Sequence, residues 1–187
     1  MFNDQYSLTQ AVLDGRKTQT RRIAYQEPFK YYCNCGFYTE GKDKGKLAIN
    51  DGNEIVAKSH YKIGEVLAVA QRYEDIPMEP SIRTILCKHP GWNNKMFVTA
   101  ITMPHQIKIV NIRVERLQSI STDDCIDEGI VDFESQIKKA HFYSIPNKYG
   151  TYDTAKKAYA QLINKISGKG TWDRNPLVFV YDFELVK

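Results

Sequence analysis

Between residues 14 and 22 the chain reads Asp14-Gly15-Arg16-Lys17-Thr18-Gln19-Thr20-Arg21-Arg22, four cations and two hydroxyls around a flexible glycine. Two chemistries suit such a set. The cations can hold an anion, or a lysine kept poorly protonated by its neighbours can activate a nearby hydroxyl. What faces the segment decides between them, and the surrounding elements set that.

A second group of chemistry-bearing residues is Cys33-x-Cys35 together with Cys87-x-His89. Three thiols and an imidazole make a zinc set if the two stretches fold side by side, but Cys-x-Cys is tighter than the usual zinc spacing. Free thiols are the expectation, with no metal and no cofactor. Tyr31, Tyr32, Phe37, Tyr38 and Trp92 offer rings on which bases can stack, or rings that pack against the body of the protein. No phosphate-cradling glycine loop and no serine-histidine-acid set is present.

The elements that must position these residues follow from period and punctuation. Ser7-Leu8-Thr9-Gln10 has the form of a capping box, Leu8, Ala11 and Val12 share a helical face, and Gly15 closes the helix. Thr18 to Ile23 then alternates as a strand. Residues 24–62 read as an inserted hairpin or flap, with Asn50-Asp51-Gly52-Asn53 as its turn. Val66 to Ala70 is a short buried strand, and 74–95 is a long loop broken by proline and glycine. Strands follow at Phe97–Ile101 and Gln106–Val114, the second bending at Asn111.

Ser121-Thr122-Asp123-Asp124 caps a short helix that stops at Gly129. Thr154 to Ile166 is the longest helix, its buried stripe being Ala155, Ala158, Tyr159, Leu162 and Ile166. A last strand runs from Leu177 to Leu185, after a turn fixed by Trp172 and Asn175. Short strands without regularly intervening helices exclude a parallel sheet. The expected class is α+β: a small mixed or antiparallel β-barrel decorated by short helices, with an inserted hairpin, all in one domain of 1–187.

Composition sets bounds on partners. A net charge of +4 permits nucleic acid without demanding it. No apolar run is long enough to span a bilayer, and Met1 to Tyr6 has no signal-peptide character. Four cysteines at irregular spacing read as reduced thiols. A cytoplasmic protein with no membrane partner is expected; the oligomeric state is left open.

Three ordered landmarks carry a resemblance: Gly15-Arg16-Lys17-Thr18-x-Thr20-x-Arg22, Ile63-Gly64-Glu65-Val66-Leu67, and Arg116-Leu117-Gln118-Ser119-Ile120 running into Glu128-Gly129-Ile130. With the closing Gly168-Lys169-Gly170-Thr171-Trp172-Asp173-x-Asn175-Pro176, the pattern resembles the ASCH domain family, in its longer phage and gut-bacterial form. The resemblance covers most of the chain outside 24–62 and 74–95. It implies a barrel similar to the PUA fold, with a cleft between barrel and helices, and an RNA-related role. The site motif is also similar to that of the small N4-acetylcytidine amidohydrolases. Their catalytic lysine, threonine and glutamate match Lys17, Thr20 and Glu128.

Carried over, Thr20 is the nucleophile, Lys17 the base, and Glu128 the proton shuttle or the holder of the base edge. Arg16, Arg21, Arg22 and Gln71 are the expected ligand-binding residues, with Arg22 anchoring a carbonyl or phosphate oxygen. One departure stands out: where many relatives carry a tryptophan, arginine and glutamate, this chain has Ala68-Val69-Ala70-Gln71. Gln71 can hydrogen-bond a base but cannot act as acid or base. The expected ligand is a nucleotide, modified nucleoside or RNA. Either an N4-acylcytidine-type amide is hydrolysed, or the chain is a non-catalytic RNA-binding module.

Overall fold

The structure, a computed structural model, describes residues 2–25, 30, 33–135 and 140–186. The chain is α+β, built on a curled, half-barrel antiparallel sheet with a few short helices. Its strands are β1 (Gln19–Tyr25), β9 (Leu177–Leu185), β6 (Gln106–Arg116) and β5 (Val66–Ala68), in that spatial order. A three-stranded sheet joins β2 (Cys33–Phe37), β3 (Leu47–Asp51) and β4 (Glu54–Lys58), and a hairpin joins β7 (Val131–Ser135) to β8 (Ala140–Ser144). Every pairing is antiparallel among the described residues, so the mixed sheet is corrected.

The curl has a local cause. On β6, Ile109 pairs with Phe183 and Asn111 with Asp182, which leaves Val110 as an extra residue in the ladder. Such a bulge bends its strand and shifts the alternation by one. Ile107 and Ile109 before it, and Ile112 and Val114 after it, therefore face the same way. That face also carries Phe179, Tyr181 and Phe183 of β9, and Leu47 and Ile49 of β3 close it. The insertion thus lends one strand to the core. Its turn comes where Asn50-Asp51-Gly52-Asn53 predicts it, with Gly52 at φ 62°.

The opposite face is covered by α4 (Ala155–Ile166), which buries Ala155, Ala158, Tyr159, Leu162 and Ile163 against Val178 and Val180. Thr154 caps it by accepting from the Lys157 amide. Ile163 takes the buried place predicted for Ile166, which is left 40% exposed at the end of the stripe.

Other expectations fail for identifiable reasons. Ser7 does not build a capping box: it sits in the left-handed region and its hydroxyl accepts from Asn147. The loop at 74–95 contains α2 (Pro80–Leu86), which starts on a proline, the residue that suits a first helical turn. The strand predicted at Phe97–Ile101 is replaced by tight turns at Lys95–Phe97 and Ala100–Thr102, which expose Phe97 and Ile101. Two further short helices, α3 (Thr122–Asp127) and α5 (Thr171–Arg174), lie where the capping serine and the tryptophan turn place them. Among the described residues no helix is long and apolar enough to cross a membrane.

Candidate functional site

The site begins at the end of α1 (Leu8–Leu13). Gly15 adopts φ 71°, and the amides of Arg16 and Lys17 both donate to the Ala11 carbonyl. This reversal turns Lys17 inward, where it is 2% exposed. Meanwhile the Thr18 amide donates to Asp127, tying the start of β1 to the end of α3. Glu128 follows α3 directly and precedes Gly129, whose φ of 104° favours glycine and where a Cβ would crowd Leu8 Cδ2 at 3.0 Å.

Lysine and glutamate meet there. Lys17 Nζ donates to Glu128 Oε2 at 2.6 Å, to the Glu128 carbonyl at 2.8 Å and to the Gln19 carbonyl at 2.7 Å. All three ammonium protons are used. Burial pushes the Lys17 amine below its ordinary value; Glu128 opposes the shift, and Arg22 and Arg21 add to it. The neighbouring cations act as expected, except Arg16, which is exposed and paired with Asp14 at 3.0 Å.

Along β1 the side chains alternate between the two faces. Arg21 lies on the α4 side and is bound to Glu115 at 2.7 Å, Asp124 at 3.2 Å and Glu128 at 3.4 Å. Burial alone would lower its pKa, but Glu128 and Glu115 outweigh that and keep it firmly protonated. Arg113 extends the network to Asp124 at 3.0 Å and Asp182 at 2.8 Å, and Gln19 donates to the same two carboxylates. Asp124 is drawn down to about 2: burial resists, but Gln19, Ser121 and Arg21 prevail.

Thr20 and Arg22 occupy the other face. Arg22 Nη1 donates to Thr20 Oγ1 at 2.8 Å and to the Arg21 carbonyl at 3.1 Å. Unlike Arg21, Arg22 has no carboxylate partner among the described residues. In this resting geometry the threonine hydroxyl is held by Arg22 and not by Lys17.

A cavity of about 320 Å³ brings these groups together. Lys17, Thr20, Arg21, Arg22 and Glu128 form its polar side; Leu8, Leu117, Tyr159, Leu162 and Ile166 are among its apolar walls. This size and mixture suit a small organic ligand with a few fixed polar contacts. Ile166 thus lines the cavity from the end of α4. Arg16 does not line it. Neither does Gln71, which lines a separate cavity, so both depart from the predicted arrangement.

The chain was compared with protein-family models, curated proteins and solved structures, and none matches.

Sequence reasoning missed the partners of Arg21. Asn111, Arg113 and Glu115 recur at every second position of β6, which marks one polar face and was the available signal. The predicted set does not gather: Cys33 and Cys35 are exposed beside each other on β2, and Cys87 is exposed after α2. Among the described residues no cluster of metal-ligating type forms. His89 accepts from the Gly91 amide, and Trp92 lies under the Arg83 guanidinium at 4.9 Å. Phe37 is 45% exposed on β2, and Tyr31 and Tyr32 lie outside the described residues.

Proposed function

We propose that the chain is an ASCH-type, PUA-like domain whose cavity binds a modified nucleoside and hydrolyses an N4-acylcytidine-type amide. The observation that carries this reading is the convergence of Lys17 and Thr20 with Glu128, 111 residues from Lys17, on one cavity beside Arg22, which has no carboxylate partner among the described residues. A curled antiparallel sheet with a cavity beside its helices is compatible with the family part of it.

Arg22 anchors the acyl oxygen and stabilises the negative charge that develops there. The short Lys17–Glu128 contact lets a proton pass from Nζ to Oε2 without changing the net charge, and burial favours the neutral pair. Neutral Lys17 then takes the Thr20 proton as Oγ1 attacks the acyl carbon. Protonated Glu128 gives its proton to N4, the C–N bond breaks, and cytidine leaves. The proton on Lys17 passes to Glu128; water, with Lys17 again as base and Glu128 returning a proton to Thr20 Oγ1, then hydrolyses the acyl-threonine, releasing the carboxylic acid and restoring the hydroxyl.

Against the RNA-binding alternative stands the use already made of the cations. The side chains of Lys17 and Arg21 are 1% exposed and bound to carboxylates. With Arg16 paired to Asp14, Arg22 is the one cation of this basic segment left without a carboxylate among the described residues to displace counterions from a phosphate chain.

The test is incubation with N4-acetylcytidine, followed by chromatography for cytidine. Wild type should release it, and Thr20→Val and Glu128→Gln should fall to background while still melting cooperatively. No release by folded wild type, with RNA affinity that falls steeply as salt rises, would replace this reading with the binding module.

A further inference from the structure

Most of the buried polar wall of the Lys17 cavity is already committed within the chain. Lys17 spends its three protons on Glu128 and Gln19, Arg21 is held by carboxylates, and Thr20 accepts from Arg22. One buried polar group that lines the same space stands outside this arrangement. The Tyr159 hydroxyl, on α4, makes no hydrogen bond among the described residues.

Tyr159 is 2% exposed, and its ring is fixed edge-on against Trp172, with centroids 6.3 Å apart and planes at 75°. A buried phenol usually finds a partner. Among the described residues, the side-chain oxygens sealed into the packing without one are Asn50 Oδ1 and Gln71 Oε1. The Tyr159 oxygen is not of that kind. It keeps accessible surface while its residue is buried, and the space that the residue borders is the cavity. A rigidly held hydroxyl that opens onto a cavity is a ready contact for a ligand atom.

Its surroundings decide which kind of atom. Burial and the nearby Glu128 carboxylate push the phenol well above its ordinary pKa, against the opposing pull of Arg21, so the proton stays on the oxygen. The group is therefore available as a donor, and it calls for an acceptor on the ligand. Glu128 also fixes where that acceptor lies. In the amide chemistry above, Glu128 serves N4 of the base, and Tyr159 stands on the same α4 side of the cavity. Arg22 serves the acyl oxygen from the other face of β1. In an N4-acylcytosine the acceptor beside N4, across a single ring carbon, is N3.

We propose that the Tyr159 hydroxyl donates to ring N3 of the pyrimidine, reading the base while Glu128 and Arg22 hold the amide. The assignment rests on the nucleoside reading of the cavity but not on turnover. Titration calorimetry with cytidine and with 3-deazacytidine, which carries C–H in place of N3, tests it. Wild type should bind cytidine about tenfold more tightly than the 3-deaza analogue. Tyr159→Phe should bind the two equally, at the weaker affinity. It should also melt no lower than wild type without ligand, because the missing hydroxyl had no partner in the fold. Undiminished preference for cytidine in Tyr159→Phe overturns the assignment, as does a wild type that does not distinguish the two nucleosides. A marked fall in melting temperature would do the same, by showing the hydroxyl at work inside the fold. If folded wild type binds neither nucleoside, the nucleoside reading itself falls and this assignment with it. If both bind with the expected preference while N4-acetylcytidine stays uncleaved, Tyr159 keeps its role and only the hydrolysis falls.

Discussion

The two faces of the half-barrel sheet are filled by opposite means. One is mostly apolar, with Phe179, Tyr181, Ile109 and Ile112 closed over by Leu47 and Ile49 of β3, and carries Thr20 and Arg22 at its β1 edge. The other begins in the same way, with Val178 and Val180 under α4, and then becomes a lattice of charges in which Arg21 and Arg113 meet Glu115, Asp124, Glu128 and Asp182. Burying apolar area stabilises the fold regardless of detailed geometry. A buried charge lattice costs desolvation and returns it only where geometry and hydrogen bonding are good. The apolar face therefore holds the sheet together, and the charged face fixes where Lys17 and Glu128 stand.

The sharpest way to break that contrast is to remove one charge. Glu128→Ala strands the Lys17 ammonium in the interior and should cost about 3–5 kcal/mol in denaturant unfolding. Replacing both partners, as Lys17→Met with Glu128→Leu, should recover most of that loss but no activity. A double variant as unstable as the single one would mean that the pair itself holds the fold.

On the apolar face, Ile49→Ala should cost about 2–4 kcal/mol and leave one cooperative transition, because β3 shares a core with β6 and β9. Two separated transitions would show that the inserted strands melt by themselves. Neither result should alter the Lys17 cavity.

On the charged face, acid acts through Asp124. The folded pKa of Asp124, about 2, lies below the ordinary carboxylate value of about 4, so its contribution is complete above that pH and drains away as the pH falls towards 2. The amount is on the order of 2 kcal/mol. Unfolding free energies of wild type and Asp124→Asn across this window should converge as the pH drops; parallel curves would assign the acid sensitivity elsewhere.

The smallest effect is chemical. Burial pushes the Cys125 thiol, beneath the charged face on α3, up to about 12. Burial and Cys33 push Cys35 up to about 11. Alkylation followed by mass spectrometry should mark the exposed Cys33 and Cys87 first and Cys125 only on unfolding. Early labelling of Cys125 would mean that α3 opens locally in the native state.

How much of this was legible in the sequence depends on range. Ser121 announces α3, Gly15 the end of α1, Asn50 to Asn53 a turn, and the shift from Ile109 to Ile112 a bulge, because each signal and its consequence lie within a few residues. The hairpin of β7 and β8 went unseen: no glycine, proline or asparagine marks the step from Ser135 to Ala140. Of the site, the polar centre was legible as residue types, while the separation of Gln71 from it was not.

By itself, the sequence determined the ends of α1, α3 and α4, most strands, and a segment in which a lysine, a threonine and arginines stand side by side. Tertiary structure alone decided that Arg21 is consumed by carboxylates while Arg22 lines the cavity with no carboxylate partner among the described residues, that Glu128 meets Lys17 across 111 residues, and that the N-terminal segment divides two cavities. The physical reason is that capping, turns and alternation are short-range interactions between neighbours in the chain. Burial and charge pairing depend instead on which distant residues the packed sheet brings within a few ångströms.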